Sequence, residues 1–395
     1  MTSTTVESLL GKAGDLAAHF AAGAPERERT RRSPVEEFDE IHRSGILAAT
    51  VPTEFGGPGG APSVGAEIVR ILSTADGSIG QVPQNHFAFV RWIGAAGTAE
   101  QKERLFAEVL NGGHIANAQA ERHGRTAADT ATTLTYQGDG TWLLRGTKYY
   151  ATGSPFATYL AVTATVDEDA DGVTPGVWAA FIPKASPGIT VVDDWDAVGQ
   201  RLTGSGTVTL DNVVVTTGDL ISRDRVWAAG GYGAYSQLLH VGIDTGIARG
   251  TLTTGLDIAR RLARPWTDAE VERAVDDPLT LQNAGELEVA VFGAEAAFAS
   301  AGRAVDELLS GERDDRAEVS LHVAKAKIIA DAAVLTVSTH VFELTGTRAT
   351  APDLQLDRFW RNARTHTLHD PVRWKKQHIG RYVLRGQEPP LGSIL

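Results

Sequence analysis

The chain contains no cysteine in its 395 residues, which excludes disulfide bonds, thiolate nucleophiles and cysteine-ligated metals. It also lacks an excess of basic residues, since 37 lysines and arginines face 49 aspartates and glutamates, for a net charge of −12. That balance argues against a surface for nucleic acids or anionic membranes. No apolar run reaches the roughly 18 residues of a membrane span, and the first residues lack the basic and apolar regions of a signal peptide. We therefore expect a cytoplasmic protein that binds neither nucleic acid nor membrane.

The spacing of apolar residues divides the chain into three parts. Up to about Gly113 they recur three and four apart, as in amphipathic helices. Near Asn117 short β-rich runs begin, separated by turn sequences such as Gly138-Asp139-Gly140. From about Tyr235 the helical spacing returns. These patterns predict an α+β protein with a helical domain in 1–115, an antiparallel β sandwich or barrel in 116–225 and a helical bundle in 226–395.

Six strands and two long helices are predicted inside these parts. The strands are Thr132–Tyr136, Trp142–Tyr150, Tyr159–Val166, Val177–Ile182, Ile189–Val192 and Thr207–Val215. The helices carry apolar residues along one face from Leu281 to Leu308 and from Val319 to Leu344. We expect these two faces to build the bundle.

The segment from Asp357 to Pro371 has an unusual composition. Its fifteen residues include three arginines, two histidines, two aromatics and two carboxylates. That mixture suits neither a solvated helix face nor an apolar core, so it predicts the wall of a pocket. His366, His369 and Asp370 could also be ligands of a non-haem iron. Because adjacent helical positions point about 100° apart, the three would not converge easily, and we predict no metal.

Three motifs resemble those of the acyl-CoA dehydrogenase family, in order and at similar spacing. Asp76 to Gly80 resembles a helix junction of the family's first domain, Gly146 to Gly153 its Gly-x-Lys strand beside the flavin, and Gly199 to Ser205 the strand pair that ends its β domain. The resemblance covers nearly the whole chain. It implies a helical N-terminal domain, a middle β domain and a C-terminal helical bundle.

Within that family the chain resembles the dibenzothiophene monooxygenase type, which has indole-hydroxylating relatives. The similarity lies in Arg358 to Pro371, Ala263 to Thr267 and Asp193 to Trp195. It implies a two-component monooxygenase that takes reduced flavin from a separate reductase. With O2, through a flavin C4a-hydroperoxide, such an enzyme oxygenates an apolar heteroaromatic (indole-like) or organosulfur substrate. It also implies a homo-oligomer, either a dimer or a tetramer.

The resemblance assigns roles to individual residues. The expected flavin contacts are Asn117, Thr152, Arg264, Trp266, His366 and His369, with Arg264 on the phosphate, from a neighbouring subunit if need be. The expected catalytic residues are His86, Thr152 and His369, and the expected walls of the substrate pocket are Trp92, Phe156 and Phe359. Glu343 and Leu344 stand where the dehydrogenases have paired glycines against the dinucleotide half of FAD. We therefore expect reduced FMN as the cofactor, with FAD possible.

Other interpretations stay open at this point. Asp370 falls where a dehydrogenase has its glutamate base, so an acyl-CoA dehydrogenase with the shorter Asp370 as base is the alternative. A non-catalytic flavin carrier with the same fold is a third. Structural roles compete as well: a histidine is often a satisfied core residue, Asn117 and Thr152 could form strand-end hydrogen bonds, and Arg264 a surface ion pair.

Overall fold

The computed structural model describes residues 5–122, 126, 129–390 and 392. Within these ranges the α-helices are α1 Val6–Thr30, α2 Val35–Ser44, α3 Pro62–Ala75, α4 Gly77–Ala96, α5 Ala99–Leu110, α6 Arg223–Ala229, α7 Tyr232–Leu262, α8 Pro278–Ser310, α9 Arg316–Thr345, α10 Asp357–His366 and α11 Val372–Arg385. The strands are β1 Ile115–Ala118, β2 Thr133–Gly138, β3 Thr141–Lys148, β4 Tyr159–Val166, β5 Gly176–Pro183, β6 Ile189–Val192, β7 Thr207–Thr216 and β8 Leu220–Ser222. The predicted order of helices, strands and helices is confirmed.

The strands form one sheet in the order β6-β7-β3-β2-β4-β5-β8, with β1 paired to β4. All six predicted strands are present, with ends shifted by at most two residues, while β1 and β8 were not among them. The prediction of an antiparallel domain needs one correction, because β1 and β2 both pair with β4 in parallel. The parallel β1 brings the chain from the N-terminal helices into the sheet beside the end of β3, where Asn117 lies.

An ionic network buried between the domains ties them together. The guanidinium of Arg27 on α1 contacts Asp76 at 3.1 Å, and Asp76 also caps α4 by accepting from the backbone of Ser78. The next residue, Glu28, pairs with Arg361 of α10 and lies 3.4 Å from Arg201 of the β domain. One turn of α1 therefore fixes α4, α10 and the segment before β7 relative to one another.

Three glycines on α7 allow a very close approach to α3. A Cβ atom added at Gly242, Gly246 or Gly250 would lie 2.8, 2.3 or 2.1 Å from the carbonyl oxygens of Ala66, Arg70 and Thr74, respectively. Both sets of residues recur every four positions, so the two helices touch backbone to backbone over two turns. The glycine contacts fix the register of α7, which carries His240 and Asp244 on its other side.

The helix α9 is the central helix of the C-terminal bundle. It is long and apolar enough to cross a membrane, but half of its most apolar window is buried inside the fold. It packs between α7 and α8 and carries the buried charged residues Lys327 and Asp331. Some residues expected on the inward faces point outward instead, since Leu281 is 57% and Ile329 is 44% exposed.

The contact between α3 and α7 can be tested by adding one methyl group. Gly246→Ala is expected to lower the free energy of unfolding by about 1–3 kcal/mol, because the new Cβ overlaps the Arg70 carbonyl. Gly14→Ala on α1 is the matched control, since nothing lies within 4 Å of its added Cβ. That control should gain about 1 kcal/mol from helix propensity alone. Denaturant unfolding at one protein concentration measures both, and equal effects would contradict the close contact.

Candidate active site

A directed chain of hydroxyl groups runs through the β domain next to Thr152. The hydroxyl of Thr203 donates to the carbonyl of Gln200 at 3.0 Å. Since that hydrogen is used, Ser205 donates to Thr203 at 2.7 Å, and Thr152 donates to Ser205 at 2.8 Å. The lone pairs of the Thr152 oxygen are left as the free end of the chain. This end is an acceptor of hydrogen bonds.

Asn117 lies beside this free end. Its amide group donates to the carbonyl of Tyr150 at 3.4 Å, and its backbone N–H donates to the carbonyl of Thr152 at the same distance. The side-chain oxygen of Asn117 is buried and has no hydrogen-bond partner among the described residues. A buried acceptor without a partner is costly, so the site suits a ligand that carries an N–H donor.

Two aromatic side chains flank these polar groups. Tyr150 is 46% exposed, and its backbone has a left-handed φ of 54°, which is uncommon for a bulky residue and is held by the turn between Lys148 and Gly153. Its ring meets that of Trp195 edge to face, with centroids 6.0 Å apart. The indole N–H of Trp195 donates to the carbonyl of Gln200 at 2.8 Å. Exposed flat rings beside unpaired acceptors match the shape and polarity of an isoalloxazine.

Lys148 of the Gly-x-Lys strand supports the site from behind. It is fully buried and donates to the carboxylate of Glu121 at 2.6 Å and to the carbonyl of Gln119 at 3.2 Å. Glu121 also accepts from Thr132, which closes the segment after β1 onto the start of β2. Lys148 therefore holds in place the segment that presents Asn117, and it does not itself face a cofactor.

The helix α10 is joined to the hydroxyl chain through Asn362. Its side-chain oxygen accepts from the backbone N–H of Gln200 at 2.7 Å. The backbone carbonyl of Gln200 in turn accepts hydrogen bonds from the Thr203 hydroxyl and the Trp195 indole N–H. A Cβ at Gly199 would lie 1.9 Å from the carbonyl of Arg361, so only glycine lets the two segments come this close. The charged segment 357–371 is thereby locked against the β domain.

A buried network of histidines and charges lies on the other side of α10. His366 donates from Nδ1 to the Asp244 carboxylate at 2.6 Å, and its Nε2 lies 3.0 Å from Nδ1 of His240. Lys327 of α9 donates to the other oxygen of Asp244 at 2.8 Å and also pairs with Asp331. All of these side chains are buried.

Burial and charge act in opposite directions on the pKa values of this network. Burial alone would raise the pKa of Asp244, but the adjacent charges of His366 and Lys327 lower it overall. Burial lowers the pKa of His366, against the opposing effect of Asp244. Burial and the neighbouring Asp244 raise the pKa of Asp331 to about 8. At neutral pH, Asp244 is thus a carboxylate that can only accept, and Asp331 is largely protonated.

His369 is the part of this network that reaches the surface. Half of its side-chain surface is exposed, and its ring lies against that of His240, with centroids 4.4 Å apart and planes tilted by 32°. Its Nδ1–H donates to Asp370 at 3.2 Å, which leaves Nε2 with a free lone pair. His369 therefore has the open, proton-accepting nitrogen expected of a catalytic histidine.

Asp370 is poorly suited to be a dehydrogenase base. It is buried, and although burial would raise its pKa, the interaction and hydrogen bond with His369 and the nearby Lys375 lower the pKa overall. Its two oxygens face His369 at 3.2 Å and the Lys375 ammonium at 3.9 Å. With a lowered pKa and a hydrogen bond from His369, Asp370 is a weak base, which counts against the acyl-CoA dehydrogenase alternative.

The three ligands considered for a metal are not the ones that meet. From the sequence, His369 and Asp370 were expected on a helix. The helix α10 ends at His366, so both residues lie in the turn that follows it. One ligand-capable atom each of His240, His369 and Asp370 lie within 4.8 Å of one another. The ammonium group of Lys375 on Asp370 opposes a cation there. We do not assign these residues as metal ligands.

Two of the expected histidines have both ring nitrogens occupied by protein groups. His86 is fully buried, with Nε2 donating to the Leu47 carbonyl at 3.0 Å and Nδ1 accepting from the backbone of Ile115 at 3.1 Å. Burial lowers the pKa of His86 to about 4, so it is neutral. His366 also has both nitrogens occupied, by Asp244 and His240. Neither histidine therefore has a free ring nitrogen here, and the catalytic role of His86 and the flavin contact of His366 stay predictions.

Of the three aromatic residues expected to line the substrate pocket, one lies near the hydroxyl chain and two are packed elsewhere. Trp92 is buried against Tyr232, with ring centroids 5.4 Å apart, and Phe359 is buried beneath the guanidinium of Arg358. Both are buried in the core, and their assignment as pocket walls stays a prediction. Phe156 stacks on Phe38 at 4.5 Å and follows Thr152 by four positions, so it stays close to the hydroxyl chain.

Arg264 and Trp266 are not brought to the site by their own chain. Trp266 is 73% exposed, and Arg264 is exposed without a hydrogen bond or ion pair among the described residues. Both lie in the segment that follows α7. Their expected flavin contacts therefore need another copy of the chain.

Four buried residues of the network on α7 and α9 were not predicted from the sequence. His240 and Asp244 are four apart on α7, and Lys327 and Asp331 are four apart on α9, each pair inside an otherwise apolar stretch. Charges of opposite sign are rarely buried singly, so two such pairs in core helices were a usable sign of a buried ionic network.

Three family models cover the chain in order. The N-terminal domain of acyl-CoA dehydrogenase matches residues 9–113, its middle domain matches residues 116–213 and its C-terminal domain matches residues 238–374. These matches cover far more than half of the chain.

Relatives with assigned activities match over nearly the full length. The dibenzothiophene monooxygenase of Rhodococcus qingshengii is 34% identical over 387 residues, which cover 95% of this chain and 92% of that protein. The probable FMNH2-dependent monooxygenase SfnC of Pseudomonas putida is 29% identical over 395 residues, which cover 98% of this chain and 97% of that protein. The crystal structure of TdsC from Paenibacillus sp. A11-2 with FMN and indole matches with a TM-score of 0.92 at 32% identity, over 98% of this chain and 99% of that chain. The chain therefore belongs to the acyl-CoA dehydrogenase family, among its flavin-dependent monooxygenases of the dibenzothiophene monooxygenase type.

Proposed function

We propose that this protein uses reduced FMN and O2 to oxygenate an apolar heteroaromatic or organosulfur molecule. The observation that supports this most strongly is the pair of unsatisfied acceptors, Thr152 Oγ1 and Asn117 Oδ1, beside the exposed ring of Tyr150. A flavin has N–H groups along its ring system, and reduction adds one more at N5. The relatives named above include an FMNH2-dependent monooxygenase and a structure that contains FMN and indole.

The residues at the site fit FMN as the cofactor. Asn117 and Thr152 would hold the polar edge of the ring system, and Tyr150 and Trp195 would shield it from water. Glu343 is solvent-exposed and bonded to His340 at 2.7 Å, while Leu344 is buried in the bundle. The glycine turn that admits the dinucleotide half of FAD is thus replaced by side chains.

Reduced FMN, when bound, supplies two electrons so that one atom of O2 enters the substrate and the other leaves as water. The chain's own residues exclude bulk water, orient the ring system and handle protons. His369 is suited to the last task because its Nε2 is free while Asp370 holds Nδ1. Exclusion of water also strengthens each polar contact at the site.

The polarity of the hydroxyl chain favours reduced over oxidised flavin. Because Thr152 donates to Ser205, its oxygen can only accept at the site. Reduced flavin carries a donor at N5, whereas oxidised flavin carries a lone pair there. Oxidised FMN would therefore leave a buried acceptor facing another acceptor, which favours its release after turnover.

The proposed substrate is small and apolar. Phe156 stands next to the hydroxyl chain and is the aromatic wall we retain for the substrate pocket. Indole is the ligand found in the TdsC structure. A separate reductase would supply the reduced FMN in the cytoplasm. The sequence has no Gly-x-Gly-x-x-Gly fingerprint with which this chain would bind a nicotinamide cofactor and reduce the flavin itself.

We further propose that the protein acts as a homo-oligomer. Large apolar side chains are exposed on the outer faces of α8 and α11: Leu279, Leu281, Val289, Phe292, Val383 and Leu384. Patches of this kind mark interaction surfaces. Because Arg264 is exposed in the single chain, it would reach the FMN phosphate only across an interface between two copies. Association would allow Arg264 of one copy to bind the phosphate of the FMN held by another.

The activity itself is tested by product analysis. Chemically reduced FMN, O2 and the protein are mixed with indole, dibenzothiophene or a short-chain acyl-CoA. We expect a product that carries one additional oxygen atom from indole or dibenzothiophene, labelled when 18O2 is used. A protein that binds FMN and oxygenates neither compound, but is reduced by the acyl-CoA under anaerobic conditions, would contradict the proposal.

The acceptor role of Thr152 gives a second test. Ser205→Ala removes the group that receives the Thr152 hydrogen, so Thr152 becomes free to donate to oxidised flavin. We expect the ratio of oxidised-FMN to reduced-FMN dissociation constants to fall by about three- to tenfold, the effect of one hydrogen bond. Ser154→Ala is the matched control, because its buried hydroxyl has no partner among the described residues. Fluorescence titrations with oxidised FMN and anaerobic titrations with reduced FMN give both constants, and equal ratios in the two variants would contradict the assignment.

The oligomer is tested with a charge in the exposed apolar surface. Phe292 is 66% exposed on α8, and Phe292→Glu is expected to lower the mass in solution to that of a smaller assembly, because a buried unpaired charge opposes association. Val214→Glu on β7, where the valine is 65% exposed, is the control and should leave the mass unchanged. Light scattering after size-exclusion chromatography measures this, and a monomeric parent protein would refute the proposal.

A further inference from the structure

The buried histidines form a chain with a defined direction. Asp244 is a carboxylate, so His366 must donate to it from Nδ1, at 2.6 Å. Neutral His366 then has its lone pair on Nε2, and His240 donates to it from Nδ1 at 3.0 Å. The remaining lone pair of His240 is therefore on Nε2. The charge of Asp244 thus determines which ring nitrogen of His366 and of His240 carries the hydrogen.

The chain ends next to His369 at the surface. The rings of His240 and His369 lie against each other, tilted by 32° with centroids 4.4 Å apart, and a ligand-capable nitrogen of each lies within 4.8 Å of the other. One bridging water, or a rotation of the half-exposed His369 ring, spans that distance. The four residues thus connect the surface to the centre of the bundle.

We propose that His240, His366 and Asp244 form a buried relay that exchanges one proton with His369, with Asp244 as the positioning residue that sets its direction. This inference rests on the proposed monooxygenase function. A proton that arrives on His369 passes to His240 Nε2, whose Nδ1 proton moves to His366 Nε2. The resulting imidazolium is paired with Asp244. The reverse movement returns the proton, so the relay neither consumes nor produces one over a turnover.

The surroundings of the relay allow only one such charge. Lys327 and Asp331 face it from α9, Lys375 from α11, and Asp370 from the turn that carries His369. The positive charges of the other histidines and of Lys327 make a second proton on His240 or His366 unfavourable. A site that admits a single proton, with a carboxylate already beside it, is suited to hold that proton briefly.

A purely structural role explains this arrangement less well. Replacing a buried charged network with apolar side chains of the same volume is often neutral or stabilising. In addition, His369 and Asp370 already form a complete pair at the surface without His240. His240 also packs against the His369 ring, but that contact does not require the hydrogen bonds from His240 through His366 to Asp244, which add a path for protons.

Asp244→Asn is the most informative variant because its effect on tautomers can be derived. Lys327 is only a donor, so the amide oxygen must face it and the amide NH2 must face His366. His366 would then accept at Nδ1 and carry its hydrogen on Nε2, which reverses the direction of the chain through His240. Asp331→Asn is the matched control. It makes the same change at the second carboxylate that Lys327 contacts, which also faces Asp244 but forms no hydrogen bond or ion pair with a histidine among the described residues.

Histidine-selective 15N NMR of the flavin-free protein reads this reversal directly. We expect Nδ1–H tautomers for His240 and His366 in the parent protein and in Asp331→Asn, and Nε2–H tautomers in Asp244→Asn. His240→Phe, which keeps an aromatic ring, assigns the signals by difference. An Nε2–H tautomer of His366 in the parent protein would overturn the proposal.

The pH profile of oxygenation tests the use of the relay. With reduced FMN and indole (or dibenzothiophene, whichever the parent protein oxygenates), Asp244→Asn should move the limb of the kcat profile that depends on the relay to lower pH by about one unit. The reason is that an opposite charge no longer stabilises the imidazolium. His240→Phe should lower kcat by about tenfold or more. Profiles of Asp244→Asn and His240→Phe that both superimpose on that of Asp331→Asn would overturn the relay.

The two measurements separate failure of the relay from failure of the proposed function. If the parent protein oxygenates none of the compounds, the proposed function fails, while the NMR tautomers still decide whether the directed chain exists. If oxygenation is found and both variants leave its pH profile and kcat unchanged, only the relay fails.

Discussion

The structure depends on how one carboxylate is kept charged inside an apolar bundle. Asp244 has no exposed surface, and it can remain ionised only because Lys327 and His366 each bond one of its oxygens. Lys327 comes from α9 and His366 from α10, so the pairing requires three helices to meet at one point. This requirement places the end of α10 and the turn after it, and with them His369 at the surface.

Backbone contacts and buried ion pairs deliver the other parts of the site to the same place. The glycines of α7 bring it against α3, Gly199 brings the segment before β7 against α10, and Glu28 joins α1 to both domains. Lys148 does the same inside the sheet by holding Glu121. Each of these residues fixes a distance between elements that carry the histidines or the groups proposed to contact the flavin. Both sets of groups are therefore held in one frame.

The sequence predicted the class of fold well, because it depends on local patterns, whereas the flavin contacts of Asn117 and Thr152 stay predictions. Helical spacing revealed the bundle, and short motifs located Asn117 and Thr152 at strand ends. The histidines were harder, because His86, His366 and His369 look alike in sequence. Their roles depend on which distant groups face them: the Leu47 carbonyl for His86, Asp244 for His366 and open surface for His369. The parallel pairing of β1 and the place of Arg264 depend on contacts distant in the chain or on a second copy, and no local pattern reports these.

The glycine contacts between α3 and α7 have a consequence for how such enzymes diverge. They consist of backbone atoms, so the depth at which His240 and Asp244 sit does not depend on any side chain that lines a pocket. Residues such as Phe156 can be exchanged without altering the helix register. Substrate range and proton chemistry are therefore separate traits in this architecture, and selection can change the first while the second is inherited intact.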